Sequence, residues 1–257
     1  MHRLTLFRGS LVTLTILSLA LPRVSRAVEA VTVSPNPATP SSTIVIGFVG
    51  GFVSHDSPYH GPVQLAQQIR RAVPKDTYVR VYENRRRKQA YEAILHLLDT
   101  NHDGILSLAE KARARIILFG HSWGASAAVA LARDLRRQGV PVLLTVQVDS
   151  VAKLWQNDSV IPDNVAEAVN FYQPHGIVHG RARITAADPA KTEILGNYRF
   201  DYRKDPVECE KYSWWGRNIT PSHVQSECDP HVWSQVENMV LQRLAPPATT
   251  AAVDSLH

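Results

Sequence analysis

Arg113-Ala-Arg-Ile-Ile-Leu-Phe-Gly-His-Ser-Trp-Gly-Ala-Ser-Ala-Ala-Val-Ala-Leu-Ala-Arg-Asp-Leu-Arg-Arg137 decides the fold. Its first half holds a short apolar run, Ile116 to Phe119, too short for a buried helix and β-branched enough for a buried strand. Its second half, Ala125 to Arg137, is rich in Ala and Leu and predicts a helix. Between them stands Gly120-His121-Ser122-Trp123-Gly124, a G-x-S-x-G pattern at a strand-to-helix join. A turn that tight holds its central residue in a strained backbone conformation and exposes its side chain at the sheet edge. Glycine is needed on both sides, where a Cβ would strike the neighbouring strand or helix. The plain alternative is a Gly-Ser turn that matches a short pattern by coincidence. The strand before it and the helix after it argue against that.

On these residues the chain resembles the α/β-hydrolase fold serine hydrolases, the broad family of lipases, esterases and thioesterases. The resemblance spans about residues 43–244 and implies a nucleophile, a base, an acid and an oxyanion loop. Ser122 takes the place of the nucleophile, and the helix N-terminus points backbone N–H groups toward it. Thr43-Ile-Val-Ile-Gly-Phe-Val-Gly-Gly51 predicts a buried strand ending in two glycines. In the family the loop after this strand supplies one oxyanion N–H, here assigned to Phe52, and the residue after the nucleophile, Trp123, supplies the other. Asp149 follows the apolar run Val140–Val148. Lipases similar to the pancreatic type place their acid one strand after the nucleophile, where Asp149 stands. Asp163, Asp188 and Asp201 are held in reserve. Two histidines compete for the base. His223, in Ser222-His-Val-Gln-Ser-Glu-Cys-Asp-Pro230, matches a pattern of some secreted lipase-like members and is preferred. His231 follows Asp229-Pro230, a good N-cap and first-turn pair, and is expected to be a helix residue with less freedom to reach Ser122.

The remaining chain alternates strand and helix signals. Helices are expected over 62–73, 89–98, 161–172 and 232–244, and strands over 76–82, 140–148, 176–186 and 196–202. The fold class expected is α/β, a mostly parallel sheet flanked by helices on both faces, as one domain over 43–245. Residues 28–42 are an extended lead-in and 246–257 a flexible tail. His55, Asp56 and His60 share the loop after the first strand without metal spacing to a second cluster. The basic run Asn84-Arg-Arg-Arg-Lys88 reads as a solvated face. His175 and His179 read as structural or exposed. Tyr212, Trp214 and Trp215, close to His223 in sequence, are candidates to wall an acyl pocket or simply to pack a stapled loop. Asn157-Asp-Ser159 and Asn218-Ile-Thr220 match a glycosylation sequon, meaningful only in a eukaryotic secretory pathway.

Asp99-Thr-Asn-His-Asp-Gly-Ile-Leu-Ser-Leu-Ala-Glu110 fills each position of the EF-hand calcium loop. Asp99, Asn101, Asp103, the Ile105 carbonyl, Ser107 and Glu110 would offer the hard oxygens that Ca²⁺ takes. The expectation is one structural Ca²⁺, since no second EF-hand is visible; an Asx-rich turn that binds nothing is the alternative.

The N-terminus is basic, then apolar from Leu11 to Leu21, then offers small residues before Val28. This reads as a secretory signal peptide over 1–27, because Pro22 and Arg23 end the apolar run short of a membrane span. Cleavage after Ala27 would lower the formal charge from +5 to +1 by removing four arginines. The basic balance therefore argues little for nucleic acid. A secreted or periplasmic location follows, with no stable membrane anchor. In that oxidising setting Cys209 and Cys228 are expected to form a disulfide, two separate buried thiols being the alternative. Together these features imply a secreted Ser-His-Asp esterase or lipase acting on a small-molecule or lipid ester. A thioesterase or amidase of the same fold, or an inactive calcium-stabilised binding protein, stand behind it.

Overall fold

The structure is a computed structural model that describes residues 42–245 except Trp155. The signal peptide over 1–27, the lead-in apart from Ser42, and the tail over 246–257 lie outside the described residues.

Chain order gives β1 (Ser42–Val49), α1 (Gly61–Ala72), β2 (Tyr78–Glu83), a 3₁₀ turn (Asn84–Arg86) and α2 (Arg87–Leu98). A short α3 (Leu108–Ala112) leads into β3 (Ala114–His121), α4 (Trp123–Arg137) and β4 (Val142–Val148). Then come β5 (Val160–Ile161), β6 (Val165–Tyr172), β7 (Thr185–Ala186), β8 (Glu193–Arg199), α5 (Trp214–Ile219), α6 (Pro221–Cys228) and α7 (Pro230–Leu244). Six strands form one sheet in the order β2-β1-β3-β4-β6-β8, every pair parallel; β5 and β7 make a separate two-stranded ladder.

Parallel strands need crossovers, and the crossovers here cover both faces. Ile44, Ile46 and Phe48 of β1, with Ile116 and Leu118 of β3, pack among α2 and α4. Their alternates Val45, Val49, Ile117 and Phe119 pack among α1 and α7. Period-two alternation thus sends apolar side chains both ways, which is why these strands read as continuous apolar runs. The expected α/β architecture, a parallel sheet flanked by helices on both faces, is the one found. Its strand order reverses between β1 and β3, so the loops leaving those two strands part and open a crevice at their C-terminal ends. Ser122 sits at that switch point, directly after β3.

Two elements depart from the sequence-based expectation. Residues 161–172, expected as a helix, contain β6, which is hydrogen-bonded between β4 and β8. Ala and Glu in Val165-Ala-Glu-Ala-Val-Asn-Phe-Tyr172 favour a helix locally, but the segment buries Ala168, Val169, Asn170 and Phe171 in succession. Pairing on both edges overrides the local propensity. Residues 176–186, expected as a strand, are irregular until Thr185–Ala186. Their backbone serves the site instead, through the Gly180 N–H and the Val178 carbonyl. The last strand, expected over 196–202, runs Glu193–Arg199, and the segment Val232–Leu244 begins its helix earlier, at Pro230.

Cys209 and Cys228 are disulfide-bonded, with Cα atoms 5.9 Å apart. The bridge closes a loop of 19 residues' separation and ties the C-terminal end of α6 to the segment before α5. Loop-closure entropy assigns it about 3 kcal/mol. The Cys209→Ser, Cys228→Ser double variant should lose roughly that amount in urea unfolding at neutral pH. A loss under about 0.5 kcal/mol would mean the segment is held by its packing alone.

Candidate active site

The turn after β3 forces the backbone of Ser122 to φ 56° and ψ −128°, a left-handed conformation that costs a non-glycine residue about 1–3 kcal/mol. Its neighbours leave no room to relax. A Cβ on Gly124 would lie 2.3 Å from the Phe48 carbonyl oxygen, and one on Gly120 would lie 2.5 Å from the Gly124 carbonyl carbon. The Ser122 N–H donates to Val148 O at 3.0 Å, which ties the turn to β4.

Ser122 Oγ is 2.8 Å from His223 Nε2, and His223 Nδ1 is 2.6 Å from Asp149 Oδ2. Asp149 can only receive the Nδ1 proton, so Nε2 is the free acceptor for the serine hydroxyl. Asp149 stands after β4 at φ 43° and is completely buried. The remaining acceptor sites of Asp149 are filled by donors. Gln173 Nε2 donates to Oδ2 at 2.8 Å, the Gly180 N–H donates to Oδ1, and Ser226 Oγ lies 3.4 Å from Oδ2. Irregular residues 176–184 therefore have a job: Gly180 brings its N–H to the acid. A Cβ there would lie 2.6 Å from Asp149 Oδ1.

Of the two competing histidines, the structure brings His223 to Ser122. His223 is itself on a helix, α6, rather than in a loop. His231 lies on α7, its Nε2 2.9 Å from Gln235 Nε2 and its ring against Phe200. The reserve acids are engaged elsewhere. Asp163 pairs with Arg136 and Lys191, Asp188 with Lys191, and Asp201 with His175 and Arg199. The N–H groups of Phe52 and Trp123, among the described residues, donate to no turn, loop or cap carbonyl. Their rings meet edge to face at 5.7 Å.

A second buried network flanks the first, and it joins residues far apart in the chain, with no local signal to mark it. Glu227 Oε1 lies 2.8 Å from His60 Nδ1, and Glu227 Oε2 lies 3.6 Å from His121 Nδ1. The His121 and His223 rings are 4.6 Å apart, and His121 Nε2 reaches His223 O at 3.2 Å and Ser226 Oγ at 3.1 Å. Burial pushes the His121 imidazole down to about 4, against the pull of Glu227. The two other histidine-loop residues stay apart from this network: His55 pairs with Glu83, and Asp56 accepts from Ser54.

No described cavity brings the aromatic segment together with Ser122. Trp214 and Trp215 are mostly exposed and stack edge to face on each other. Tyr212 instead lines a separate cavity of about 300 Å³ with Tyr59, Lys211 and the disulfide. His175 is paired with Asp201, and His179 Nδ1 approaches the neighbouring Gly180 carbonyl at 3.1 Å.

In the 99–110 loop, Asp99 accepts from the N–H groups of Asp103 and Gly104, Asn101 accepts from Asp103, and Asp103 accepts from Ile105. Gly104 supplies the sharp turn at φ 80°. Glu110 is turned away from this half. It accepts from Thr100 N and Oγ1 on one oxygen and from Ser107 N and Oγ on the other, capping α3. Those hydrogen bonds, led by the Ser107 N–H, hold its carboxyl down at about 2. Among the described residues, the one trio of His, Cys, Asp or Glu ligand atoms within 4.8 Å of each other is His121, Asp149 and His223. The loop's donors thus fit a hard cation in kind, while its carboxylates are not gathered.

No protein-family model matches the chain, and no curated protein matches it. Solved structures are similar to the chain at low identity, and three of them serve as examples. A putative hydrolase of the alpha/beta superfamily from Xanthomonas campestris pv. campestris is 13% identical, over 78% of this chain and 98% of that one, with a TM-score of 0.38. A thermostable esterase from Pseudomonas putida ECU1011 is 13% identical, over 82% and 77%, with a TM-score of 0.41. A cutinase-like protein from Cryptococcus sp. is 13% identical, over 82% and 98%, with a TM-score of 0.40.

His121 makes stability depend on pH with a definite sign. Its native value near 4 lies below the ordinary 6.5, so between those limits the unfolded chain binds a proton that the native chain refuses. The stabilisation is complete above pH 6.5 and drains as pH falls toward 4. The slope is about 1.4 kcal/mol per pH unit, so about 2 kcal/mol should be lost between pH 6.5 and 5 in urea unfolding. His121→Gln should flatten that slope whatever its effect at pH 7, and an unchanged slope would show that folding leaves the proton affinity of His121 unshifted.

Proposed function

We propose that this chain is a serine hydrolase of carboxylic esters. The observation that carries the proposal is the unbroken line from Ser122 Oγ through His223 to buried Asp149, at 2.8 Å and 2.6 Å, built on a strained turn at the strand-order switch. In this reading Ser122 attacks the ester carbonyl carbon while His223 Nε2 takes the hydroxyl proton. The oxyanion is met by the N–H groups of Phe52 and Trp123. His223 returns the proton to the leaving alcohol as the C–O bond breaks, leaving an acyl group on Ser122. Water then attacks, giving its proton to His223, and the acid leaves as Ser122 recovers its hydrogen. Asp149 holds the imidazole tautomer and faces the positive charge that develops. The substrate is a small-molecule or lipid ester, met after export from the cytoplasm; thioesters and amides follow by the same chemistry. No helix among the described residues is long and apolar enough to cross a membrane.

Ser122→Ala and His223→Ala should each lower kcat on a panel of p-nitrophenyl esters by roughly 10⁴-fold or more with the fold intact. His231→Ala should retain most of the activity. Full activity in Ser122→Ala would sink the mechanism. A wild type inert toward every ester, thioester and amide offered would favour a binding protein on a hydrolase scaffold.

Residues 99–110 are proposed to hold one Ca²⁺ through Asp99, Asn101, Asp103, the Ile105 carbonyl, Ser107 and Glu110. Bound there, the ion would neutralise three carboxylates ahead of β3; its role is structural. Glu110 would have to give up part of its cap on α3, so binding and capping compete. Titration calorimetry should show a single site, and Ca²⁺ at a hundred times its Kd should add about 2.7 kcal/mol to unfolding, reversed by EDTA. Glu110→Gln should weaken the binding. A melting curve indifferent to millimolar Ca²⁺ would leave the loop an Asx-rich turn.

A further inference from the structure

The oxyanion side of the site has an anchor of its own. The chain leaves β1 through Gly50-Gly51-Phe52, so close to the elbow that a Cβ on Gly50 would lie 2.8 Å from Ser122 Cβ. Little within this loop holds it. Val53 N–H reaches Gly50 O at 3.2 Å, and the Phe52 side chain is 86% exposed. The restraint comes from the neighbouring strand. Asn84, buried at the start of the 3₁₀ turn directly after β2, donates from Nδ2 to Gly51 O at 2.6 Å and to Val49 O at 3.3 Å.

Gly51 O and the Phe52 N–H belong to one peptide unit. That unit is planar and trans, so the N–H points opposite to the carbonyl. Fixing the direction of Gly51 O on Asn84 therefore fixes the direction in which the Phe52 N–H is aimed. Donation to the carbonyl oxygen also polarises the peptide and makes its N–H a stronger donor.

An asparagine amide can sit either way round, and only one way donates to the loop. Lys153, in the segment after β4, settles the choice. Its ammonium has donors only, and it donates to Asn84 Oδ1. The same ammonium lies 5.2 Å from the centroid of the Trp123 ring, whose edge meets Phe52. One cation thus touches the residue that aims the first oxyanion donor and the side chain of the residue that carries the second. Among the described residues no carboxylate pairs with it, so its charge is not cancelled locally.

We propose that Asn84 and Lys153 are positioning residues for the oxyanion site. Asn84 aims the Phe52 N–H by holding the Gly51 carbonyl, and Lys153 holds Asn84 in its donating orientation while its own charge rests against the Trp123 ring. The proposal rests on the ester-hydrolase reading of Ser122. The run Asn84–Lys88, which reads from sequence as a solvated face, opens with a buried residue of this device.

The groups facing Lys153 are Asn84, Arg85 and Arg87 from the segment after β2, and Trp123 from α4; Arg87 is itself paired with Asp134 at 3.1 Å. Burial, then Arg87 and Arg85, lower the pKa of the ammonium below the ordinary lysine range.

Asn84→Asp is the decisive variant. It keeps the size of the side chain and its contact with Lys153 but cannot donate to Gly51 O. It should lower kcat roughly ten- to a hundredfold with KM within about threefold, and weaken a boronic acid inhibitor in proportion. Amide hydrogen exchange across residues 50–53 should speed up. Lys153→Met should lower kcat about tenfold and abolish an alkaline fall in kcat that the wild type shows below the lysine range. Lys153→Arg should restore most of the rate and move that fall beyond reach. Unchanged kcat in Asn84→Asp, or a loss confined to KM, would overturn the proposal. If the wild type turns over no ester, the hydrolase reading fails separately, and unchanged exchange at residues 50–53 in Asn84→Asp would then overturn the brace on its own.

Discussion

The backbone of Ser122, held at φ 56° and ψ −128°, is the constraint on which the site depends. A non-glycine residue adopts that conformation only where its surroundings leave no cheaper one. Here the surroundings are the close contact of α4 with β1. The Gly124 backbone lies against the Phe48 and Val49 carbonyls with no room for a side chain between them. That contact is maintained by the core on both sides of β1 and β3, so the strain at one residue is balanced by the burial of two sheet faces. In return, the hydroxyl projects into the crevice opened where strand order reverses, beside the loop that leaves β1.

Around this fixed hydroxyl the polar groups are arranged in layers. His223 reaches Ser122 from α6, and Asp149 reaches His223 from the end of β4, fully buried and surrounded by donors from Gln173 and Gly180. Behind His223 lies neutral His121, and behind that Glu227 with His60. Buried polar groups with partners on several elements rigidify a site, and partly satisfied ones are costly. His121 Nδ1 is one such cost: among the described residues it makes no hydrogen bond. Asn84 and Lys153 supply the matching rigidity on the opposite, oxyanion side.

Much of this arrangement is legible in the chain because it is local. An apolar strand, a glycine-flanked serine and an Ala-rich helix adjoin in sequence, and the turn they dictate needs no distant partner. Asp149 is marked by its place at a strand end. His223 is preferred to His231 through the pattern Ser222–Pro230 alone, since both histidines lie on helices. What was not legible depends on partners far away in sequence. Asn84 opens a basic run, and only its contacts with Gly51 and Lys153 distinguish it from the exposed arginines that follow. Gln173 and Gly180 acquire their roles from Asp149, 24 and 31 residues away. Residues 165–172 have helix-favouring Ala and Glu, and become a strand because β4 and β8 offer ladders on both edges. Glu110 satisfies the calcium-loop pattern and, equally, the capping box of α3, since both need a carboxylate three residues after Ser107.

The central claim is that Ser122 is a nucleophile activated by His223. A fluorophosphonate reporter followed by mass spectrometry of the digested protein tests it without knowledge of the natural substrate. A single phosphonyl adduct is expected, mapped to Ser122, lost on prior denaturation and strongly slowed in His223→Ala. A native protein that remains unlabelled, or one labelled at another residue, would contradict it.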